Sequence, residues 1–162
     1  MPLPNDEKLI ALANDLIHQF DKIFGEHPGF RPAHAKGAIF TGAFKPAAGA
    51  ASLTKAPHVT RPSTRVTARF SNSTGIPLLP DNEPNANPRG LALRFHLAEH
   101  VHTDIVSHST DGFPTHTGAE FLEFLRAVAS SDPAKLAGSP LEAFLGSHPA
   151  ALASCRRRSR LR

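Results

Sequence analysis

The sequence predicts an α+β domain built around an antiparallel β-sheet, and three observations lead to that fold class. Helical periodicity runs through the first 24 residues, β-type segments occupy residues 38–109, and helical periodicity returns from Thr117. Helices and strands segregated in this way are typical of α+β folds. A chain of 162 residues with 40% hydrophobic content is long enough for one such domain with its own core.

The first predicted helix begins at Asn5, a residue type that caps helices, and carries Asp6 and Glu7 in its first turn. Gly25 and then Pro28 end it. Its apolar positions recur at helical spacing: Leu9, Leu12, Ala13, Leu16, Ile17, Phe20 and Phe24. This amphipathic helix is expected to pack on the body of the domain.

Four segments have the composition of strands, and they read "AIFTGAF", "RVTARFSN", "LALRFHL" and "HTDIVSHS". Between the second and third, residues 75–90 contain four prolines, which predicts a long loop. Glu99 and His100 are expected at a tight connection between the last two strands. The periodicity is too weak to fix the register of the pairing.

Two further helices are predicted near the C-terminus. Thr117 and Glu120 have the spacing of a capping box, and Phe121, Phe124, Leu125 and Val128 form one apolar face behind them. Ser139 is expected to cap a short helix that has Pro140 in its first position and ends at Gly146.

The basic character of the chain belongs to its last residues. The formal net charge is +4, but without the five arginines at positions 156, 157, 158, 160 and 162 it is −1. A nucleic-acid-binding surface is therefore not expected on the folded part. A single cysteine, a charged N-terminal region and the lack of a long apolar run predict a cytoplasmic protein that does not enter membranes.

Several motifs together resemble one family. "RPAHAKGAIFTGAF", "TARFSNSTG", "NPRGLALRFH" and "TDIVSHSTDGFP" are similar, in this order, to the N-terminal half of haem catalases and more closely to the shorter catalase-related peroxidases. The resemblance covers about residues 25–153. It implies the first half of a catalase-like antiparallel β-barrel with an N-terminal helix and C-terminal helices, over residues 1–153, followed by a basic tail at 154–162 that does not resemble the family.

The resemblance implies that His34 is the distal histidine above the iron of haem b. Cleavage of a peroxide O–O bond requires a group that takes a proton from one oxygen and gives it to the other, and an imidazole can do both near neutral pH. Ser71 matches the serine that holds the second ring nitrogen. Without the flanking motifs, a histidine at the edge of a strand would be an ordinary structural residue.

The cofactor-binding residues implied by the same resemblance are Arg31 and Arg69, matched to arginines that pair with haem propionates. Phe113 is matched to a residue against the macrocycle. Ala33, with Pro32, would keep the distal wall apolar. No protein ligand to the iron is assigned, because the family uses a tyrosine and this chain contains none.

A metal site is the alternative interpretation of another histidine group: His96, His100, His102, His108 and His116. Zinc or copper could bind there, but no cysteine or regular carboxylate spacing accompanies these residues.

Catalases also carry a distal asparagine, for which Ser109 is the nearest equivalent by sequence.

The predicted function is a haem-dependent peroxidase that reduces hydrogen peroxide or organic hydroperoxides with a small organic donor, present here as a truncated chain. The alternative is an inactive remnant of the fold, or an interaction module that uses the basic tail. An open half-barrel exposes strand edges and apolar surface, so self-association is also predicted.

Overall fold

The computed structural model describes residues 5–83, 86–110 and 112–152. Its helices and strands, in chain order, are α1 (Glu7–Phe24), β1 (Gly37–Phe44), α2 (Pro57–Thr60), β2 (Thr64–Asn72), β3 (Arg89–Ala98), β4 (Val101–His108), α3 (Gly118–Ala129) and α4 (Pro140–Ser147). A short 3-10 turn, Ala50–Ser52, precedes α2. The predicted tail at 154–162 lies outside the described residues.

The four strands form one antiparallel meander in the order β1-β2-β3-β4, which confirms the predicted α+β class. The tight connection at Glu99 and His100 is also confirmed, and the backbone of His100 takes a positive φ of 57° there. Residues 73–88 connect β2 to β3 without a strand in their described part. Four prolines in that segment remove backbone donors, which explains why no ladder forms.

The helix boundaries follow their capping residues, with two corrections. The N-cap of α1 is Asp6 and not Asn5, since the Asp6 carboxylate accepts from the backbone N–H groups of Lys8 and Leu9. Thr117 and Glu120 form the predicted capping box of α3. Ser139 caps α4 as predicted, but that helix continues through Gly146 to Ser147.

Two small cores stabilise the fold. The helical core forms where α3 meets α4, and α1 packs along α3, with the rings of Phe20 and Phe121 6.0 Å apart. The sheet has its own cluster, in which buried Phe95 stacks on His58 of α2 at 4.2 Å and meets Phe44 edge-on. Large parts of both sheet faces lie outside these cores.

Within the described parts of the chain, no helix combines the length and the apolar character needed to cross a bilayer.

Candidate active site

His34 lies in the loop that connects α1 to β1, residues 25–36. Its backbone φ is 55°, in the left-handed region that few residues other than glycine adopt. The Arg69 guanidinium donates to the His34 carbonyl at 2.6 Å. The next residue, Ala35, donates its N–H to the Thr74 carbonyl at 3.0 Å. The sheet and the loop after β2 thus hold an unfavourable backbone conformation in place, as is common at functional sites.

A row of four residues, one from each strand, crosses the sheet beneath this histidine. The pairing of the strands places these residues side by side in the order Gly37, Ser71, Gly90 and His108. The His34 ring lies over Gly90 of β3. A Cβ added to Gly90 would come within 2.9 Å of the Cε1 atom of His34. The same Cβ would lie 2.8 Å from the Ser71 hydroxyl. Gly90 therefore makes the space in which the imidazole sits.

The structure brings His34 and Ser71 together, as the resemblance implied. The Nδ1 atom of His34 lies 2.9 Å from the Ser71 hydroxyl oxygen, at hydrogen-bond distance. This contact fixes the ring orientation and leaves Nε2 as the nitrogen available for chemistry.

The side chain beside the Nε2 atom of His34 is His108, and not Ser109. The two Nε2 atoms are 3.3 Å apart, and the ring planes are inclined by 15°. Successive residues of a strand point to opposite faces. Ser109 instead accepts the backbone N–H of Arg89 at 2.8 Å. The sequence motif pointed to Ser109 for this position, whereas the structure places the preceding residue, His108, beside His34.

The environment of His34 favours its neutral form. Burial, followed by the electrostatic influence of His108, Arg31 and Arg69, lowers the pKa of His34 from 6.5 to about 4, against a weaker opposing effect of a backbone hydrogen bond at Asn72. A neutral imidazole can accept a proton at physiological pH. The site therefore provides a base and not a resident cation at this position.

Arg31 and Arg69 place two positive charges beside that base. Burial and the nearby Arg31 charge lower the pKa of Arg69. Among the residues that the structure describes, neither arginine forms an ion pair with a carboxylate. Two uncompensated guanidinium groups next to each other favour an anionic ligand, and a carboxylate suits their geometry.

Apolar surface continues from the site along the same face of the sheet. The next row of paired residues contains Ile39, Arg69, Ala92 and Val106. Ile39 is 67% exposed and Val106 is 72% exposed. Exposed aliphatic side chains around a guanidinium group form a surface that suits a flat ligand with an apolar body and acidic edges.

The remaining predicted site residues lie around His34 in different ways. Ala33 and Pro32 are half-buried in the loop before it. Phe113 is about half exposed, and its ring centroid is 6.5 Å from that of His108 and 4.8 Å from that of Phe121 in α3. Phe113 therefore links the site to the helical core.

A cleft of about 260 Å³ lies on the other flank of the loop, between α1 and residues 25–32. Arg31 lines this cleft, whereas His34 does not. Arg31 therefore borders both the cleft and the site, whereas His34 lies outside the cleft.

The histidines of the alternative metal site do not converge. His96 bonds to the Thr67 hydroxyl at 2.9 Å, His100 is exposed in the turn, and His102 lies near Asp104. In the described residues, no group of three or more His, Cys, Asp or Glu side chains is placed to hold a metal ion.

Sequence reasoning missed the functional role of Gly90 and the position of His108. Gly90 stands in the "NPRGLALRFH" motif, and a glycine inside a strand is a sign of close approach by another group. No comparable signal marks His108, because its position depends on the register of β3 and β4.

Comparisons with known proteins agree with the fold and the motifs. A model of the Catalase family matches residues 11–149. The catalase-related peroxidase of Mycolicibacterium paratuberculosis is 33% identical over 104 residues, covering 64% of this chain and 33% of that protein. The catalase-related peroxidase of Synechococcus elongatus is 30% identical over 115 residues, covering 71% of this chain and 33% of that protein.

Solved structures show the same similarity. The structure of a bacterial catalase superimposes with a TM-score of 0.61 at 26% identity, and the match covers 96% of this chain and 29% of that one. The crystal structure of a fungal catalase superimposes with a TM-score of 0.58 at 22% identity. This match covers 94% of this chain and 30% of that one, and it supports the fold. The chain spans about a third of the length of the curated relatives it matches. The family match over residues 11–149, together with the motifs around His34, shows that this chain belongs to the catalase family.

Proposed function

We propose that the chain forms the distal side of a haem-dependent peroxidase that reduces hydrogen peroxide or organic hydroperoxides with a small organic electron donor. The observation that carries this proposal is the neutral, half-buried imidazole of His34, which lies 2.9 Å from the Ser71 hydroxyl and beside two guanidinium groups that form no ion pair with any described carboxylate. The family match and the two catalase-related peroxidases support the same reaction class.

The reaction consumes one hydroperoxide, ROOH, two electrons and two protons, and it yields the alcohol ROH and water. The donor supplies the two electrons. Haem, when bound, supplies the iron centre at which the O–O bond breaks. In this chain, His34 accepts the proton from the inner peroxide oxygen at Nε2 and delivers a proton to the outer oxygen. Ser71 keeps the ring oriented while the proton moves.

The residues on the sheet face fit haem on its distal side. Arg31 and Arg69 would hold the two propionates, which explains why neither has a carboxylate partner among the described residues. Ala33 and Phe113 would contact the macrocycle, and exposed Val106 extends that surface. The axial phenolate used in the family cannot come from this chain, because it contains no tyrosine.

Titration of the full chain with ferric haem tests the proposal, with and without added 4-methylphenol as a substitute for the axial phenolate. We expect a Soret band that saturates at one haem per chain, and peroxide-dependent oxidation of guaiacol. His34→Ala is expected to lower that turnover by about 10²- to 10⁴-fold. His102→Ala, which changes an exposed histidine outside the site, is the control. Failure to bind haem under either condition, or equal turnover in His34→Ala, would reject the proposal.

The lack of tyrosine favours a second candidate, an inactive remnant that binds acidic partners through the basic residues 154–162. The same titration separates the two functions. The remnant would take up no haem, and its association with an acidic polymer such as heparin would weaken steeply with salt.

The proposal includes a role in the removal of peroxides in the cytoplasm. Its support is the single cysteine, which can form no disulfide within the chain.

A further inference from the structure

We propose that His108 is a second acid–base residue of this site, which acts on the same hydroperoxide as His34 and shares one proton with it. The inference rests on the proposed function for its substrate and on the structure for its geometry. The two Nε2 atoms converge to 3.3 Å, and the ring centroids are 5.2 Å apart. A small ligand bound at one of these nitrogens would be within reach of the other.

The sheet register brings the second imidazole to this position. His108 is the last residue of β4 and pairs with Gly90 of β3, so its side chain lies on the face that carries Ser71. His34 sits above the glycine between Ser71 on one side and His108 on the other. A side chain at position 90 would occupy the space between them.

The contact between the two rings determines how many protons they hold. A hydrogen bond between two ring nitrogens requires one N–H and one lone pair, so the facing Nε2 atoms hold one proton between them. The Ser71 hydroxyl at Nδ1 of His34 can either donate or accept. Ser71 therefore accommodates both arrangements, with the shared proton on His34 or on His108.

This arrangement differs in its chemistry from a histidine beside an amide. An amide side chain can donate a hydrogen bond but does not release its proton near neutral pH, whereas a second imidazole can release one. One imidazole would take the proton from the inner peroxide oxygen and become a cation, and the other would give its Nε2 proton to the outer oxygen as it takes up the extra proton of that cation, so that both rings end neutral. The pair ends with one proton, as it began. The two electrons for O–O cleavage come from the organic donor of the proposed function.

Burial and the groups around His34 keep its ring neutral. Arg31 of the same loop, Arg69 of β2 and His108 of β4 all disfavour a positive charge on His34, while β3 contributes only Gly90 at this point. Since burial acts in the same direction, the His34 ring stays neutral above about pH 4. His34 therefore enters the contact with His108 as a neutral ring.

The test uses the full chain labelled with nitrogen-15 in its histidine rings, and it requires no activity. The His34 ring is titrated by NMR in the wild type, in His108→Asn and in the control His102→Asn, which changes an exposed histidine of the same strand. We expect the pKa of His34 to rise in His108→Asn, because the electrostatic influence of His108 lowers that pKa in the wild type, and to stay unchanged in His102→Asn. If His108→Asn leaves the pKa of His34 at the wild-type value, the shared proton is excluded.

A kinetic measurement on the haem-loaded chain tests the catalytic part. His108→Asn is expected to slow peroxide reduction by roughly 100-fold and to alter the pH profile of the rate, while His102→Asn changes neither. Unchanged turnover and pH profile in His108→Asn would overturn the proposal. His108→Gln serves in both measurements if the asparagine variant does not fold. A wild-type chain that reduces no peroxide defeats the proposed function, and the NMR titration still decides whether the two rings share a proton.

Discussion

The sheet is covered at the strand ends near His34 and is exposed farther along the same strands. At the ends of the strands near His34, Gly90 is buried, and Asn72 and Thr74 are only 2% and 3% exposed. Farther along the same strands, Phe40 is 56% exposed on one face and Val106 is 72% exposed on the other. The first region is covered by the loop at 25–36 and by the segment after β2, whereas the second has no cover among the described residues.

The chain therefore orients the His34 ring with its own residues. Ser71 and Arg69 form the hydrogen bonds to His34, and Thr74 accepts one from the next residue, Ala35. The apolar surface beside the group remains open for a ligand or a partner. The two regions therefore respond differently to substitution: changes at the row beneath His34 affect the folded chain itself, and changes on the open faces affect what it binds.

The largest expected loss of stability comes from Gly90→Ala. The added Cβ would lie 2.8 Å from the Ser71 hydroxyl and 2.9 Å from His34 Cε1, so both groups must move. We expect the free energy of unfolding to fall by about 1–3 kcal/mol, measured by urea denaturation. Gly42→Ala is the matched control in β1, since nothing lies within 4 Å of its added Cβ. Equal losses in the two variants would show that Gly90 is not tightly packed.

Acidification should weaken the site end of the sheet. Because the pKa of His34 falls from 6.5 to about 4 on folding, the unfolded chain binds more protons between these values, and stability is lost as the pH falls from about 6.5 to about 4. Because the ring is half exposed, solvent screens its interactions, and the expected loss in the free energy of unfolding is roughly 1–2 kcal/mol.

Urea denaturation at pH 7 and pH 4.5 measures this loss in the wild type and in His34→Gln. Other groups also titrate in this range, so the difference between the two proteins isolates His34. We expect the glutamine variant to lose less stability on acidification. The same pH dependence in both would contradict the assigned environment of the ring.

Ser71→Ala should have a smaller effect, of about 1 kcal/mol on the free energy of unfolding at pH 7, because one part-buried hydrogen bond is lost. Ser107→Ala is the control, since its hydroxyl is exposed and lies 3.5 Å from the Leu91 carbonyl. In the haem-loaded chain, Ser71→Ala is expected to lower turnover while haem content stays the same. If Ser71→Ala and Ser107→Ala have the same turnover, Ser71 has no orienting role.

The smallest effect on stability is expected on the open face, where association changes instead. Phe40 and Phe70 form an exposed edge-on pair with centroids 5.8 Å apart, and we expect the chain to self-associate through them. Phe40→Lys should reduce association in sedimentation velocity while changing the unfolding free energy by less than about 0.5 kcal/mol.

Thr41→Lys adds the same charge to the other face of β1 and is the control for that measurement. Equal effects of the two lysines would show that the edge of β1, and not the Phe40 face, drives association. A monomeric wild-type chain would contradict the prediction altogether.

Much of the fold could be predicted from local signals. Capping residues located α3 and the start of α4, and β-type composition located all four strands, because these features depend on neighbouring residues in the chain. The prediction that Asn5 caps α1 was wrong, because the next residue, Asp6, is an equally good acceptor and its carboxylate accepts from two backbone N–H groups.

The candidate site was predictable only in part, for a physical reason. His34 and Ser71 stand in recognisable motifs, so their pairing could be expected without the structure. His108 was grouped with other histidines of the sequence, because only the register of β3 with β4 shows that it reaches His34. A shift of one residue would have pointed Ser109 to that face instead, and periodicity alone could not decide between them.

The most direct test of the account is an NMR measurement of the histidine rings as ferric haem is added to the full chain. Unpaired electrons on the iron broaden the signals of nearby nuclei and leave distant ones sharp. We expect the ring signals of His34 and His108 to disappear at one equivalent of haem, while that of His102 remains. Sharp His34 and His108 signals in the haem-bound chain, or broadening confined to other histidines, would contradict it.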